Sequence, residues 1–109
     1  RNKMAGDCYQ ANCNHILYTD SNKKYLLCHG VAILQTDGKP FGHCWLEVGD
    51  KVEDYSNGNE FSISKDLYYR LGGIPVKGYA KIYKYTKEEA RKKIVETGVW
   101  GPWESKPPR

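Results

Sequence analysis

One stretch of the 109-residue chain limits its fold more than any other. It is Gly42-His43-Cys44-Trp45-Leu46-Glu47-Val48-Gly49-Asp50-Lys51-Val52-Glu53-Asp54-Tyr55. Apolar and polar residues alternate on both sides of Gly49-Asp50, which predicts two antiparallel strands joined by a two-residue loop of type II′. The loop sets the register, with Val48 opposite Lys51, Glu47 opposite Val52, Leu46 opposite Glu53 and Trp45 opposite Asp54. Side chains two apart on a strand share a face, and so do directly paired residues. His43, Trp45, Val52 and Asp54 are therefore expected on one side and Glu53 on the other. His43 and Asp54 become diagonal neighbours within reach of long side chains. An imidazole oriented by a carboxylate is the basic part of a nucleophilic triad, and it lacks only the nucleophile.

A thiol occupies a suitable place earlier in the chain. Gly6-Asp7 precedes a run from Cys8 to Leu17 that reads as a helix, with Asp7 as N-cap and Cys8 at the first helical position. Ala11, Ile16, Tyr9 and Cys13 are its candidates for burial. A cysteine at a helix start meets unpaired N–H groups and the positive end of the dipole, both of which favour thiolate. The same N–H groups can receive the oxyanion of an attacked carbonyl. Cys8 could instead simply pack the helix start, and Cys13, Cys28 and Cys44 read as buried free thiols. A disulfide framework is disfavoured, because Cys8 and Cys13 lie on different helix faces and Cys28 sits inside an apolar strand. His29, on that strand, is the rival histidine, but without a partner at hairpin spacing it reads as a satisfied core or edge residue.

The remaining chain supplies an α+β frame of antiparallel strands and short helices. Tyr25–Leu34 is apolar enough for a central strand, with Gly30 marking a bulge or a close backbone approach. Thr36-Asp37-Gly38-Lys39-Pro40 is a hairpin loop, and Ser56-Asn57-Gly58-Asn59 is a turn. Glu60–Ile63 is a short extended piece. Ser64 caps a short helix that stops at Gly72-Gly73. Val76–Tyr85 alternates as a strand. Thr86-Lys87-Glu88-Glu89 is a capping box opening a helix to about Glu96, with Ala90, Ile94 and Val95 toward the sheet and Gly98 as its stop. The Lys-rich run from Lys87 to Lys93 reads as a solvated helix face, so the charge of +4 does not imply a nucleic-acid partner. Trp100 and Trp103 are expected to dock on the domain, which spans 6–104, with 105–109 as a disordered tail. No apolar run approaches the length of a membrane span and no export pattern opens the chain, so an intracellular setting is expected.

Gly6-Asp7-Cys8-Tyr9, Gly42-His43-Cys44-Trp45-Leu46-Glu47-Val48 and Val52-Glu53-Asp54-Tyr55-Ser56 together resemble the papain-like fold in its transglutaminase-like form. There a Cys at a helix N-terminus is followed by a His-x-Trp-x-Glu strand and an Asp on the next strand. Ser56-Asn57-Gly58 and Tyr85-Thr86-Lys87-Glu88-Glu89-Ala90 extend the likeness to small phage and bacterial proteins of that kind, over most of residues 6–104. The resemblance implies a papain-like core with the Cys-bearing N-terminal helix packed on an antiparallel sheet. It implies Cys8 as nucleophile, His43 as general base and then acid, and Asp54 as orienting carboxylate, with Trp45 and Tyr9 beside the substrate. It also implies a cytoplasmic location, in the host if phage-encoded. Asn2 to Asp7 include no Gln of the kind papain-like proteases carry before the Cys, so the oxyanion would fall to the Cys8 N–H and a neighbouring amide or ring donor.

The expected chemistry is a cysteine-dependent hydrolase or acyltransferase acting on an amide, isopeptide or thioester bond of a peptide or protein. No cofactor, nucleic acid or membrane enters it. The alternative is a catalytically silent papain-like binding module, such as a phage factor engaging a host protein. A structural zinc held by Cys13, His15, Cys28, His29, His43 and Cys44 is disfavoured, because no Cys-x-x-Cys pair is present and His43 and Cys44 point to opposite strand faces.

Overall fold

The computed structural model describes residues 7–33, 36–58 and 60–108. The expected lead-in at 1–6, the strand end at Leu34 and the turn residue Asn59 lie outside the described residues. The elements are α1 (Cys8–Tyr18), β1 (Leu26–Ile33), β2 (Pro40–Val48), β3 (Lys51–Asp54), β4 (Phe61–Ser64), α2 (Lys65–Gly72), β5 (Tyr83–Tyr85) and α3 (Lys87–Thr97). They form an α+β domain in which helices pack on a five-stranded antiparallel sheet of order β4-β3-β2-β1-β5.

The central hairpin takes the expected register, with Leu46, Glu47 and Val48 opposite Glu53, Val52 and Lys51. Gly49 has φ 61°, the positive value that the first loop position of a type II′ turn requires. The alternation then sorts the core into two layers. Cys13 and Ile16 of α1 and Ala90 of α3 pack with Leu27, Cys44, Leu46 and Tyr85 on one face. Tyr68 of α2 packs with Cys28, Ala32, Trp45, Val52 and Ile74 on the other. Gly30 marks a close approach, because a Cβ there would lie 2.9 Å from Cη2 of Trp45.

Three expectations about individual segments change. Of the alternating run Val76–Tyr85, only Tyr83–Tyr85 is a strand. Val76 and Tyr79 close a tight turn through a 2.8 Å bond from the Tyr79 N–H to the Val76 carbonyl, with Gly78 at φ 86°. Turn chemistry at one glycine overrides the pattern. Val95 is 79% exposed, while Ala90 and Ile94 take the inward face of α3. Residues 105–108 are not a loose end: Ser105 is buried, and Pro107 lies over Gly42. Ahead of them Trp103 docks against His29 and Tyr85, each at a ring separation of 4.9 Å.

Candidate active site

β2 runs past the end of β3. Asp54 is the last residue of β3, so the Pro40–Cys44 part of β2 pairs with β1 but not with β3. The turn Ser56–Gly58 and the start of α1 occupy this edge, joined where Asp7 Oδ1 accepts the Asn57 N–H at 2.8 Å. The body of α1 lies on the Cys44–Leu46 face, not on the face carrying His43 and Trp45. Cys8 meets His43 at the open edge of β2, because it is the first residue of the helix rather than one in its middle.

Asp7 stands at the N-cap of α1, yet its side chain makes no cap bond. Its carbonyl accepts the Ala11 N–H at 2.9 Å and its carboxylate is turned to Asn57. The N–H groups of the first turn therefore keep their donor capacity beside Cys8. Cys8 itself is 5% exposed.

His43 is oriented through an intermediary that the sequence did not announce. Its Nε2 lies 2.6 Å from the Tyr68 hydroxyl, which in turn donates to Asp54 Oδ2 at 2.9 Å. The separation of Nε2 from Asp54 Oδ2 is 3.5 Å. Tyr68 has a single proton and it is directed to Asp54, so Nε2 must carry the hydrogen of the 2.6 Å contact. Nδ1 is then the nitrogen whose proton comes and goes. It is buried and makes no regular hydrogen bond, and Cys8 is the group acting on the ring together with Asp54. Burial alone would favour neutral imidazole. The influence of Asp54 and Cys8 overrides it and raises the pKa to about 9.

Asp54 is itself held on every side. Oδ1 accepts from Asn12 Nδ2 at 3.1 Å, the Ser56 N–H at 2.9 Å and the Ser56 hydroxyl at 2.8 Å. Burial opposes its charge, but His43, the Ser56 N–H and Asn12 overcome that and keep the carboxyl far below the usual range. Asn12 lies one turn beyond Cys8, fully buried. Its Nδ2 also reaches the carbonyls of Cys8 and Cys44 at 3.0 Å each, and its Oδ1 accepts the Tyr55 N–H at 2.9 Å. One amide thus ties α1 to both strands of the hairpin.

Trp45 differs from the substrate contact expected of it. Trp45 is wholly buried behind His43 at a ring separation of 5.7 Å, so it backs the imidazole and offers no surface to a ligand. Its indole N–H donates to Glu47 at 3.0 Å, and Glu47 also receives Lys84 at 2.9 Å and the Tyr69 hydroxyl. The glutamate of the His-x-Trp-x-Glu pattern therefore anchors the tryptophan. Tyr9, next to Cys8, has a buried hydroxyl without a partner among the described residues, and burial followed by the charges of Cys8 and Cys44 pushes its pKa upward. It remains a donor at all ordinary pH. Beside His43 on the α2 side lies an apolar groove of about 280 Å³, walled by Phe41, Phe61, Ile63, Leu71 and Ile74.

The other thiols and the rival histidine lie apart from this arrangement. All four cysteines are free. Burial raises Cys13 to about 11 and pushes Cys28 and Cys44 further up, which suppresses their thiolates. His29 is fully buried but not satisfied, since neither ring nitrogen has a partner among the described residues, and burial lowers its pKa to about 4. Among the described residues no three His, Cys, Asp or Glu side chains converge as a metal site, and no helix is long and apolar enough to cross a membrane. Asn12 and Tyr68 are the two site residues that sequence reading missed. A polar residue one helical turn after the cysteine was a usable signal for Asn12, whereas nothing local marks Tyr68.

Comparison of the chain with protein-family models, with curated proteins and with solved structures finds no match.

Proposed function

We propose that the protein is a thiol-dependent hydrolase or acyltransferase acting on an amide, isopeptide or thioester bond of a peptide or protein, on a papain-like (transglutaminase-like) core. The observation that carries this reading is the polarity of His43. Tyr68 and Asp54 engage Nε2, which leaves the buried Nδ1 as the nitrogen free to exchange a proton with Cys8. A histidine buried only for packing needs no such relay.

The reaction follows from those positions. Cys8 Sγ adds to the substrate carbonyl, its proton residing on His43 Nδ1. The oxyanion is received by the first-turn N–H groups of α1, with the unpartnered Tyr9 hydroxyl as a candidate side-chain donor. His43 gives the proton to the departing amine or thiol, the bond to it breaks, and an acyl-thioester remains on Cys8. Water or an amine, deprotonated by His43, then releases the acyl group and restores the thiol. Asp54 stays ionised throughout and steadies the imidazolium. The groove beside His43 offers apolar surface to the bound substrate.

Site-resolved alkylation by iodoacetamide near pH 6 tests the proposal. Cys8 is expected to react at least tenfold faster than Cys13, Cys28 or Cys44, and His43→Ala is expected to remove that advantage. If Cys8 reacts no faster than the deeply buried thiols, the catalytic reading fails. The fold would then be better explained as a binding module without chemistry.

A further inference from the structure

The apolar groove beside His43, about 280 Å³ in volume, is walled in large part by aromatic rings. Phe41 lies 5.3 Å from His43, His43 6.1 Å from Tyr68, and Tyr68 6.2 Å from Phe61, measured between ring centres. Rings at such separations attract one another edge-to-face or offset, and a further ring entering the groove can do the same. The described residues lining it include no Asp, Glu, Lys or Arg. Small residues leave the space open. A Cβ on Gly72 would lie 3.2 Å from Ile74 Cδ1 and 3.6 Å from the Cβ of Ala32, both of them groove walls. At the rim Phe61 and Leu71 are exposed. An apolar hollow of about 150 Å³ is enough to hold benzene, so one phenyl ring has room here.

We propose that this groove is the specificity subsite of the candidate enzyme, and that it takes the side chain of a phenylalanine within about two residues of the attacked carbonyl. The proposal rests on the catalytic reading of Cys8 and His43 given above, and it narrows the substrate to a peptide or protein with an aromatic residue beside the bond that breaks. Continuity with the site carries the placement. His43 and Tyr68 are walls of the groove and also members of the relay to Asp54. A side chain seated there touches the same imidazole that exchanges a proton with Cys8, so its own backbone lies close to the reacting carbonyl.

The chemistry of the walls selects the occupant. His43 Nε2 and the Tyr68 hydroxyl are bound to each other, and Tyr68 donates onward to Asp54. A polar side chain would therefore lose its water without gaining these partners. His43, its pKa raised to about 9, carries a positive charge at neutral pH. That charge repels lysine and arginine and attracts the face of a ring. A carboxylate is drawn by it but finds Nε2 engaged and the surrounding walls apolar. Leucine gains burial without the ring contacts, so phenylalanine leads it.

The test uses the full chain and two sets of thiol reagents, each made with phenylalanine, leucine, alanine, lysine and glutamate. Acetyl-aminoacyl-glycine chloromethyl ketones place the side chain before the attacked carbon, and iodoacetylated amino-acid amides place it after. Cys8 Sγ displaces the halide, and the rate is read by mass spectrometry. In one set or the other, phenylalanine is expected to react roughly 10- to 100-fold faster than alanine, with leucine between and lysine and glutamate no better than alanine. Gly72→Leu fills the groove and should bring the phenylalanine-to-alanine ratio to near unity. Leu71→Ser, at the exposed rim, should lower it several-fold. Because both reagents meet the same thiol, the ratio is insensitive to any change in the reactivity of Cys8 itself. N-acetyl-phenylalanine amide is titrated in parallel, and the amide NMR signals of Ala32, Phe61 and Leu71 should shift in the wild-type chain and not in Gly72→Leu. A ratio near unity in both sets without such shifts overturns the subsite, while the catalytic reading survives if Cys8 still outpaces the other thiols. A ratio that neither substitution lowers overturns the subsite as well. Shifts at the groove with Cys8 no more reactive than the other thiols would sink the catalytic reading and support the aromatic preference of the groove.

Discussion

Tyr68 makes the clearest prediction at the scale of single residues. Removing its hydroxyl while keeping the ring leaves His43 Nε2 only Asp54, at 3.5 Å. Tyr68→Phe is expected to slow iodoacetamide labelling of Cys8 at pH 7, and any turnover found later, by roughly 10- to 100-fold with little change in thermal midpoint. Asp54→Asn should lower turnover more, by about a thousandfold, because it removes both the charge and the acceptor that fixes the tautomer. Glu53→Gln separates structure from chemistry. Glu53 faces away from the site and is bound by Tyr25 at 2.6 Å, Tyr55 at 2.7 Å and Lys23 at 2.8 Å. Its loss should destabilise the fold while leaving the Cys8 labelling rate within about twofold. Any opposite ordering of Asp54→Asn and Glu53→Gln on labelling would mean that the hairpin register does not set the chemistry.

At the scale of elements, Asn12 matters more than the helix cap. Asn12→Ala removes the amide bridging α1, β2 and β3 and leaves the carbonyl of Cys44 and one oxygen of Asp54 short of a donor. Urea denaturation is expected to show a loss of about 2–4 kcal/mol, of the size found when a buried polar network is broken. Thr86→Ala opens the capping box of α3, in which Thr86 Oγ1 accepts the Glu89 N–H at 3.2 Å and Glu89 Oε1 accepts the Thr86 N–H at 2.9 Å. That surface change should cost about 1 kcal/mol. A larger effect for Thr86→Ala than for Asn12→Ala would show that α1 is not held by its amide.

At the scale of the whole molecule, two histidines bound the pH range of the fold from opposite sides. His29 has a pKa lowered by burial from 6.5 to about 4. A lowered value means that the unfolded chain takes up the proton first, so this contribution to stability is complete above pH 6.5 and is lost as pH falls toward 4. Tyr9, Cys44, Tyr83, Tyr85 and Glu104 face the ring from α1, β2, β5 and the segment after α3, and only Glu104, at the surface, favours its charge. The loss over that window is expected to reach about 3 kcal/mol, and His29→Phe should flatten it. His43 has a raised pKa, so its contribution is complete below 6.5 and fades as pH rises through about 9. Chemical denaturation from pH 4 to 10 should give a maximum near neutrality, with the acid limb flattened in His29→Phe and the alkaline limb flattened in His43→Gln. Acid stability unchanged by His29→Phe would show that the ring is hydrated rather than sealed.

What the chain's own pattern determined is local. The II′ loop at Gly49-Asp50 and the alternation around it settled the hairpin register and hence which side of β2 carries His43 and Trp45, because a strand has only two faces and the turn leaves no slack. The caps at Ser64 and Thr86 and the stops at Gly73 and Gly98 were equally legible, since each satisfies backbone groups within four residues. The tertiary structure alone decided the rest. It turned Asp7 from its cap to Asn57 and buried Trp45 beyond the reach of any ligand. It also set Tyr68 of α2 between His43 and Asp54, and carried Pro107 back to Gly42. Each of these contacts joins residues between 14 and 65 positions apart or depends on what covers a side chain, and periodicity carries information only along a single element.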